Sequence, residues 1–387
     1  MTKKHCSAGI GLLLAIATVI GCGKTSSVPN DAATVVPVFT PSDESKFLFH
    51  AAAVSSTGDH VFTVAIDGTA KVWSIRKGAL QSTFTLPVST PIQVTPEGEL
   101  GGAISAIAIN STGTQVLVCP TRVLDDRDPF VQPQILDSST GKQVQIFQGH
   151  REPVTASAFS VDGKKVLTGS FGGSAKLWNI EDGQLIHTFP LEPREGVSGI
   201  NCVEFSKDGS HVLIADDHHA RVWNIQTFAR VHKFPVHMVR RASWNADGTR
   251  IATRSLDENR PKVWDLAKGG LAQEFANLSV KGPVLSGCAV ALSHDGANVA
   301  TGYGDGTTRI LSASTGECLD FLRASEASVI DAAYRRESGQ LLTVSSAGTI
   351  RLWRATDGEL LLSIYTWGSS AEWCCWTASG YFNGTAA

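Results

Sequence analysis

The sequence predicts an all-β chain, a seven-bladed β-propeller of four-stranded antiparallel blades. Three observations carry this. A unit recurs: "FSVDGKKVLTGSFGGSAKLWNIEDGQLIHTF" (residues 159–189) has relatives at 54–84, 205–234, 244–275, 292–322 and 334–364, and a looser copy at 109–147. The equivalent positions Trp73, Leu136, Trp178, Trp223, Trp264, Leu311 and Trp353 are mostly 41 to 47 residues apart, the period of a four-stranded blade; insertions stretch the first interval to 63. Within a unit, "AKVWSI" and "IRLW" alternate like strands, and Asp-Gly or Thr-Gly pairs mark tight turns. A single unit cannot bury its own face, so the units must stack radially and cover one another.

Four segments follow in order. Residues 1–21 read as an export signal: Lys3, Lys4 and His5 form a basic start, residues 9–20 are almost wholly apolar, and small residues come next. That run is too short for a spanning helix, which needs roughly 17 to 25 apolar residues. Residues 22–46, rich in Ser, Thr, Pro and Asp, read as a flexible tether. Residues 47–365 hold the repeats, and residues 366–387 form a closing segment. The stretch "TVIGCGKTSS" also ends like a phosphate loop, but Gly23, Lys24 and Thr25 supply only its tail, and Thr18 stands where the first glycine is needed.

Composition narrows function further. A net charge of −3, with no interleaving of aromatic and basic residues, excludes the basic footprint of a nucleic-acid binder. Cys119, Cys202, Cys288, Cys318, Cys374 and Cys375 form no C-x-x-C pair. Cys202 and Cys288 lie in alternating apolar runs as buried hydrophobes, and a disulfide among the others stays open.

Residues Val19, Ile20, Gly21 and Cys22 resemble the lipobox of bacterial lipoproteins. The resemblance implies that Cys22 is acylated, becomes the first mature residue, and tethers an exported chain to the cell envelope, at the inner or outer membrane. From residue 47 to 365 the chain resembles the WD-repeat family. The W-D dipeptide is literal at Trp264 and Asp265; Trp73, Trp178, Trp223 and Trp353 precede other residues. The Gly-His signature is complete at Gly149 and His150, and His237 keeps half of it. The family's hydrogen-bonded tetrad of His, Asp, Ser and Trp maps in the third blade onto His150, Ser170 and Trp178, with Gly172 in the place of the Asp. What the resemblance implies is a monomeric, non-catalytic scaffold for an unidentified protein partner, with no cofactor.

The tail "EWCCWTASGYFNGT" (372–385) resembles the W-x-x-W-T-P-E-G-Y-Y segment that follows propellers in some bacterial proteins, including ones fused to caspase-like proteases. It is expected either to begin a partial eighth blade or to pair with "TVVPVF" (34–39) and close the ring.

Two insertions fall on connections that leave one face of the disc, residues 86–103 and 120–134. The second places Asp125, Asp126, Arg127, Asp128 and Phe130 at the crest of an expected partner-binding ridge; the alternative is a solvated loop, since surface loops lengthen cheaply. His218, His219 and His237 are expected near the same face, and His211 and His232 on strands. No spacing among them forces the convergence a metal requires. Glu204, Asp216 and Asp217 share one blade, yet no motif ties them to a nucleophile, and "GSFGG" (169–173) is not a nucleophile elbow. Catalysis is therefore not expected. Two other functions stay open: a ligand-binding or enzymatic central channel, which requires polar residues converging at the inner strands, and the sensor portion of a caspase-associated bacterial signalling system.

Overall fold

The structure is a computed structural model that describes residues 49–65, 67–86, 93–94, 100–101, 104–120, 132–191, 199–255, 260–275, 289–323, 325, 327–335, 339–366, 373–377 and 382–384. Seven antiparallel sheets of four consecutive strands form a ring of seven blades. The innermost strands are Phe49–Val54, Ile104–Ile109, Val154–Phe159, Ile200–Phe205, Val239–Trp244, Val290–Leu292 and Val329–Tyr334. Their last residues, Val54 through Tyr334, are the first residues of the repeats read from the sequence. The repeat thus runs from the foot of an inner strand to the end of the outer strand, one strand out of phase with the blade. Among the described residues no helix is long and apolar enough to cross a membrane.

Six of the inner strands carry a β-bulge at their second residue. A bulge bends and overtwists a strand, which suits the strand nearest the axis, where the sheets are most crowded. The penultimate inner positions are accordingly small in five blades: Ala53, Ala108, Ala158, Ala291 and Ala333.

There is no single core. Seven apolar layers lie between neighbouring blades, each drawing side chains from both. One rule organises them: the apolar residue closing a blade's outer strand packs on the third-strand Trp or Leu of the next blade. Phe147 meets Trp178 with ring centroids 5.6 Å apart, Phe189 meets Trp223 at 5.5 Å, and Phe234 meets Trp264 at 4.7 Å. Such pairs add about 0.5–1.5 kcal/mol beyond the burial of their area. The recurring Phe and Trp of the sequence are therefore the two halves of one contact repeated around the disc.

The last joint keeps the rule with an aliphatic residue, as the layer of Leu322 and Trp353 does. Blade 7 ends in Ile364, so Trp73 of blade 1 lacks an aromatic partner from the preceding outer strand. The tail supplies it. Strand Trp373–Thr377 pairs with the outer strand Leu360–Thr366 of blade 7, and Phe382–Gly384 pairs in turn with the tail strand. Trp373 meets Trp73 edge-on at 5.9 Å, and Cys375 is buried beside it. The tail is therefore not the start of an eighth blade; it widens blade 7 to six strands and wedges the joint. The segment 34–39 lies outside the described residues. Polar contacts complete the closure. Asp331 Oδ2 accepts the Val54 amide at 3.0 Å, and the Arg335 guanidinium holds Asp59 at 2.6 Å while Arg76 holds it from the other side at 3.0 Å. Gly58 turns against Arg335 with φ +73°, where a Cβ would sit 2.7 Å from Arg335 Cγ.

Trp373→Ala is expected to lower the unfolding free energy by about 3–5 kcal/mol, whereas Val144→Ser on an exposed outer strand changes it by no more than about 0.5 kcal/mol. Urea denaturation measures both. A loss below about 1 kcal/mol for Trp373→Ala would show that the joint closes without its tail.

Candidate functional site

All of Trp73, Trp178, Trp223, Trp264 and Trp353 lie on third strands and are buried. In blade 3 the His150 ring is 5% exposed; its Nε2 is 2.7 Å from Thr168 Oγ1, which also accepts Trp178 Nε1 at 2.8 Å. Here the structure corrects the expectation. Thr168, not Ser170, is the hydroxyl between His and Trp. Ser170 instead reaches Ser174 Oγ at 2.9 Å, and Ser174 Oγ is 3.2 Å from His150 Nδ1, filling the place of the absent Asp. Thr168 and Ser170 share a face of their strand because the period is two, and only the former lies within reach of the indole. Burial, assisted by the Lys176 charge, pushes the His150 imidazole down to about 4, so it is neutral at ordinary pH.

The indole-to-threonine bond recurs from Trp73 to Thr63 at 3.1 Å, from Trp264 to Thr253 at 2.9 Å and from Trp353 to Thr343 at 3.0 Å. Blade 4 departs from it: Ile214 stands at that register, opposite Arg221, and Trp223 Nε1 is buried without an acceptor. Asp265 accepts the Lys268 amide at 3.1 Å within its turn. These residues hold the fold.

The blade 4 carboxylates do not form an acid/base pair. Asp216 is bonded to the buried Arg221 at 2.6 Å and accepts the amides of His218 and His219. Burial raises its carboxyl, but the Arg221 bond and the two amides outweigh that and hold it below the usual range. Asp217 accepts Asn201 Nδ2 at 2.6 Å. His218 and His237 do meet, edge to face at 6.3 Å. Among the described residues no three His, Cys, Asp or Glu side chains converge for a metal. Cys119 and Cys202 are buried free thiols, each pushed up to about 12 by burial; Cys318, Cys374 and Cys375 are free as well.

Cys22, Asp125, Asp126, Arg127, Asp128 and Phe130 lie outside the described residues, as does Cys288. The connections that carry the two insertions are placed by their flanking strands. One joins Ala79–Thr85 to Ile104–Ile109 and the other joins Gln115–Pro120 to Gln134–Asp137. In a four-stranded meander both leave the same face, and so does a third long connection, from Gly270–Glu274 to Val290–Leu292. Gln132, at the foot of the second insertion, is clasped to the Gly149–His150 link: its Oε1 accepts the Gly149 amide at 3.3 Å, and its Nε2 donates to the His150 carbonyl at 3.2 Å.

Polar residues do converge elsewhere. The inner strands enclose an axial cavity of about 130 Å³ towards the opposite face. Glu204 replaces the alanine of the penultimate inner position in blade 4, while Arg241 and Asp331 stand two places earlier on their own strands, where blades 1, 2 and 3 have Ala51, Ala106 and Ala156. Below them Lys207 crosses the axis and donates to the Ser56 carbonyl at 3.1 Å. Glu204 lines this space, and burial pushes its carboxyl up to about 7 against the pull of Lys207 and Arg241. Burial likewise raises Asp331, against Arg241 and the amides of Val54 and Ala332. Sequence reasoning singled out Glu204 but missed the other three; the signal was a charge at an inner-strand position that is otherwise alanine.

Two of the blades match a known repeat. Residues 141–179 and 183–224 fit the family described as WD domain, G-beta repeat. The comparisons support a WD-repeat propeller. Relatives include apoptotic protease-activating factor 1 of Rattus norvegicus, 29% identical over 42% of this chain and 12% of that protein. WD repeat-containing protein 18 of Rattus norvegicus is 31% identical over 34% of the chain and 28% of its own length. Angio-associated migratory cell protein of Canis lupus familiaris is 27% identical over 56% and 42%. The chain thus spans well under two thirds of the length of these relatives. WD-repeat propellers are generally non-catalytic and bind protein partners.

Two outcomes test this reading. Thr168→Val strands both Trp178 Nε1 and His150 Nε2 and is expected to cost about 2–4 kcal/mol in chemical denaturation. Glu204→Gln tests the channel. An acid whose folded value is raised binds its proton more tightly folded than unfolded, so wild-type stability falls as pH rises from about 4.3, the unfolded value, through about 7. The Gln variant is expected to match wild type below that window and exceed it above; equal stability at all pH values would refute the assignment.

Proposed function

We propose that the chain is a non-catalytic, lipid-anchored scaffold that holds protein partners at the bacterial cell envelope. The observation that carries this is the asymmetry of the disc: three long connections leave one face, and the foot of one is clasped to the His150 link. The WD-repeat likeness supports a protein as the partner. The anchor rests on the lipobox-like residues ending at Cys22. A tethered disc raises the effective concentration of whatever it binds beside the membrane.

A second reading, the sensor portion of a caspase-associated signalling system, is favoured by the tail at 372–385 and by the likeness to a relative named as a protease-activating factor. The two differ in the partner recovered.

Crosslinked affinity purification from membranes compares the intact chain with one whose residues 120–134 are shortened to a tight turn. A protein partner held by the first and lost by the second is expected, and a protease among the recovered proteins selects the second reading. Identical, empty recoveries from both chains overturn the scaffold. Cys22→Ser is expected to move the protein from the membrane to the soluble fraction; retention at the membrane would refute the anchor.

A further inference from the structure

We propose that the axial cavity is a binding site for a small zwitterionic amino acid, its carboxylate held by Arg241 and its ammonium by Glu204 and Asp331. The site lies on the axis, towards the face opposite the long connections, and is independent of the scaffold role.

Size and charge select the ligand. A cavity of about 130 Å³ is close to the roughly 150 Å³ apolar cavity that takes up benzene, so it suits a molecule of about five to nine non-hydrogen atoms. Its lining excludes an apolar guest: two carboxyl groups and two cationic groups come from blades 4, 5 and 7. It equally disfavours a guest of one sign, because a simple anion would face Glu204 and Asp331 and a simple cation would face Arg241 and Lys207. A guest carrying both charges meets an opposite charge at each end, adding to the attraction that Arg241 and Lys207 already exert on Glu204 and Asp331.

The groups are also positioned in advance. Asp331 is fixed by the amides of Val54 at 3.0 Å and Ala332 at 2.9 Å, so its carboxylate is ordered without a ligand. Arg241 sits at the same level of the channel and its side chain is exposed to the open space, while Glu204 lies one tier lower on blade 4. Lys207, bonded to Ser56 O, forms a strap beneath them. Ala53, Ala108 and Ala158 line the lower tier in blades 1 to 3, which leaves the room in which a guest can lie. Closing the ring and building the site share a residue, since Asp331 bonds blade 1 and faces the cavity.

Ionisation of Glu204 gives the site a second signature. The groups that face it are Lys207 and Cys202 from its own blade, Arg241 from blade 5 and Asp331 from blade 7. An ammonium binds the ionised carboxylate, so affinity should rise with pH up through about 7 and then level off.

Isothermal titration of the purified propeller at pH 8 with L-alanine, L-serine and L-aspartate, against propionate and ethylamine as single-charge analogues, tests the proposal. At least one amino acid is expected to bind at least about tenfold more tightly than either analogue. Arg241→Ala and Glu204→Gln are each expected to weaken that binding about tenfold or more, with unfolding still cooperative, and Glu204→Gln to remove the pH dependence. Asp331→Asn, which keeps an acceptor for the Val54 amide, serves as a third variant if either of these fails to fold. Binding of propionate or ethylamine as tight as that of the amino acids, affinity unchanged in the variants, or no amino acid bound below about 10 mM would each overturn it.

Discussion

The joint between blades 7 and 1 is the constraint on which the disc depends. Every other pair of neighbours is joined by chain, so separating them is limited by a covalent link. Among the described residues each blade is made of consecutive strands, and no strand is exchanged between the two ends of the ring. Among the described residues, side chains hold the last joint. They do so with an aromatic wedge, Trp373 against Trp73, a carboxylate bonded to a neighbouring backbone amide, and the Arg335–Asp59–Arg76 cluster. Burial tends to raise the Asp59 carboxyl, yet the two guanidinium groups hold it below the usual range, so the cluster stays charged.

The same joint explains the tail. An outer-strand apolar residue resting on the next blade's third-strand Trp or Leu is the repeated contact of the disc, and in blade 7 that residue is the aliphatic Ile364, packed in the layer of Trp73. A hairpin added to the outer edge of blade 7 brings an aromatic to that layer and also pairs a strand edge that would otherwise be open. Outer strands elsewhere leave Val144, Ile186, Val231 and Leu319 exposed, whereas Leu361 of blade 7 packs partly buried against the joint. The resemblance to segments that follow other propellers therefore has a local physical basis in this chain.

Crowding at the axis is the second constraint. Seven inner strands converge there, six of them bulged, and alanine is the usual answer to the lack of space. Glu204, Arg241 and Asp331 break that pattern together, and each would be costly alone in such surroundings. Together with Lys207 they set two carboxyl groups against two cationic groups across the channel, which is why an unusual set of residues at the narrowest part of the fold is tolerated at all. The axial charges sit towards one end of the channel and the long connections leave the other face, so the disc offers two separate places for recognition.

Much of the architecture was legible in the sequence because the blade contact is periodic: Phe and Trp recur at a fixed spacing, and the turn glycines recur with them. The seven third-strand positions, the strand-like alternation and the two insertions all follow from that period. The lipobox-like segment belongs to the sequence alone. Tertiary structure decided what no period encodes. Thr168 rather than Ser170 bridges His150 and Trp178, because two hydroxyls on one strand face differ only in reach. The tail closes a joint instead of opening a blade, because Trp373 reaches Trp73 only when blade 7 lies beside blade 1. Glu204, Lys207, Arg241 and Asp331 are scattered over 128 residues of chain between the first and last, and only the closed ring brings them to a common axis.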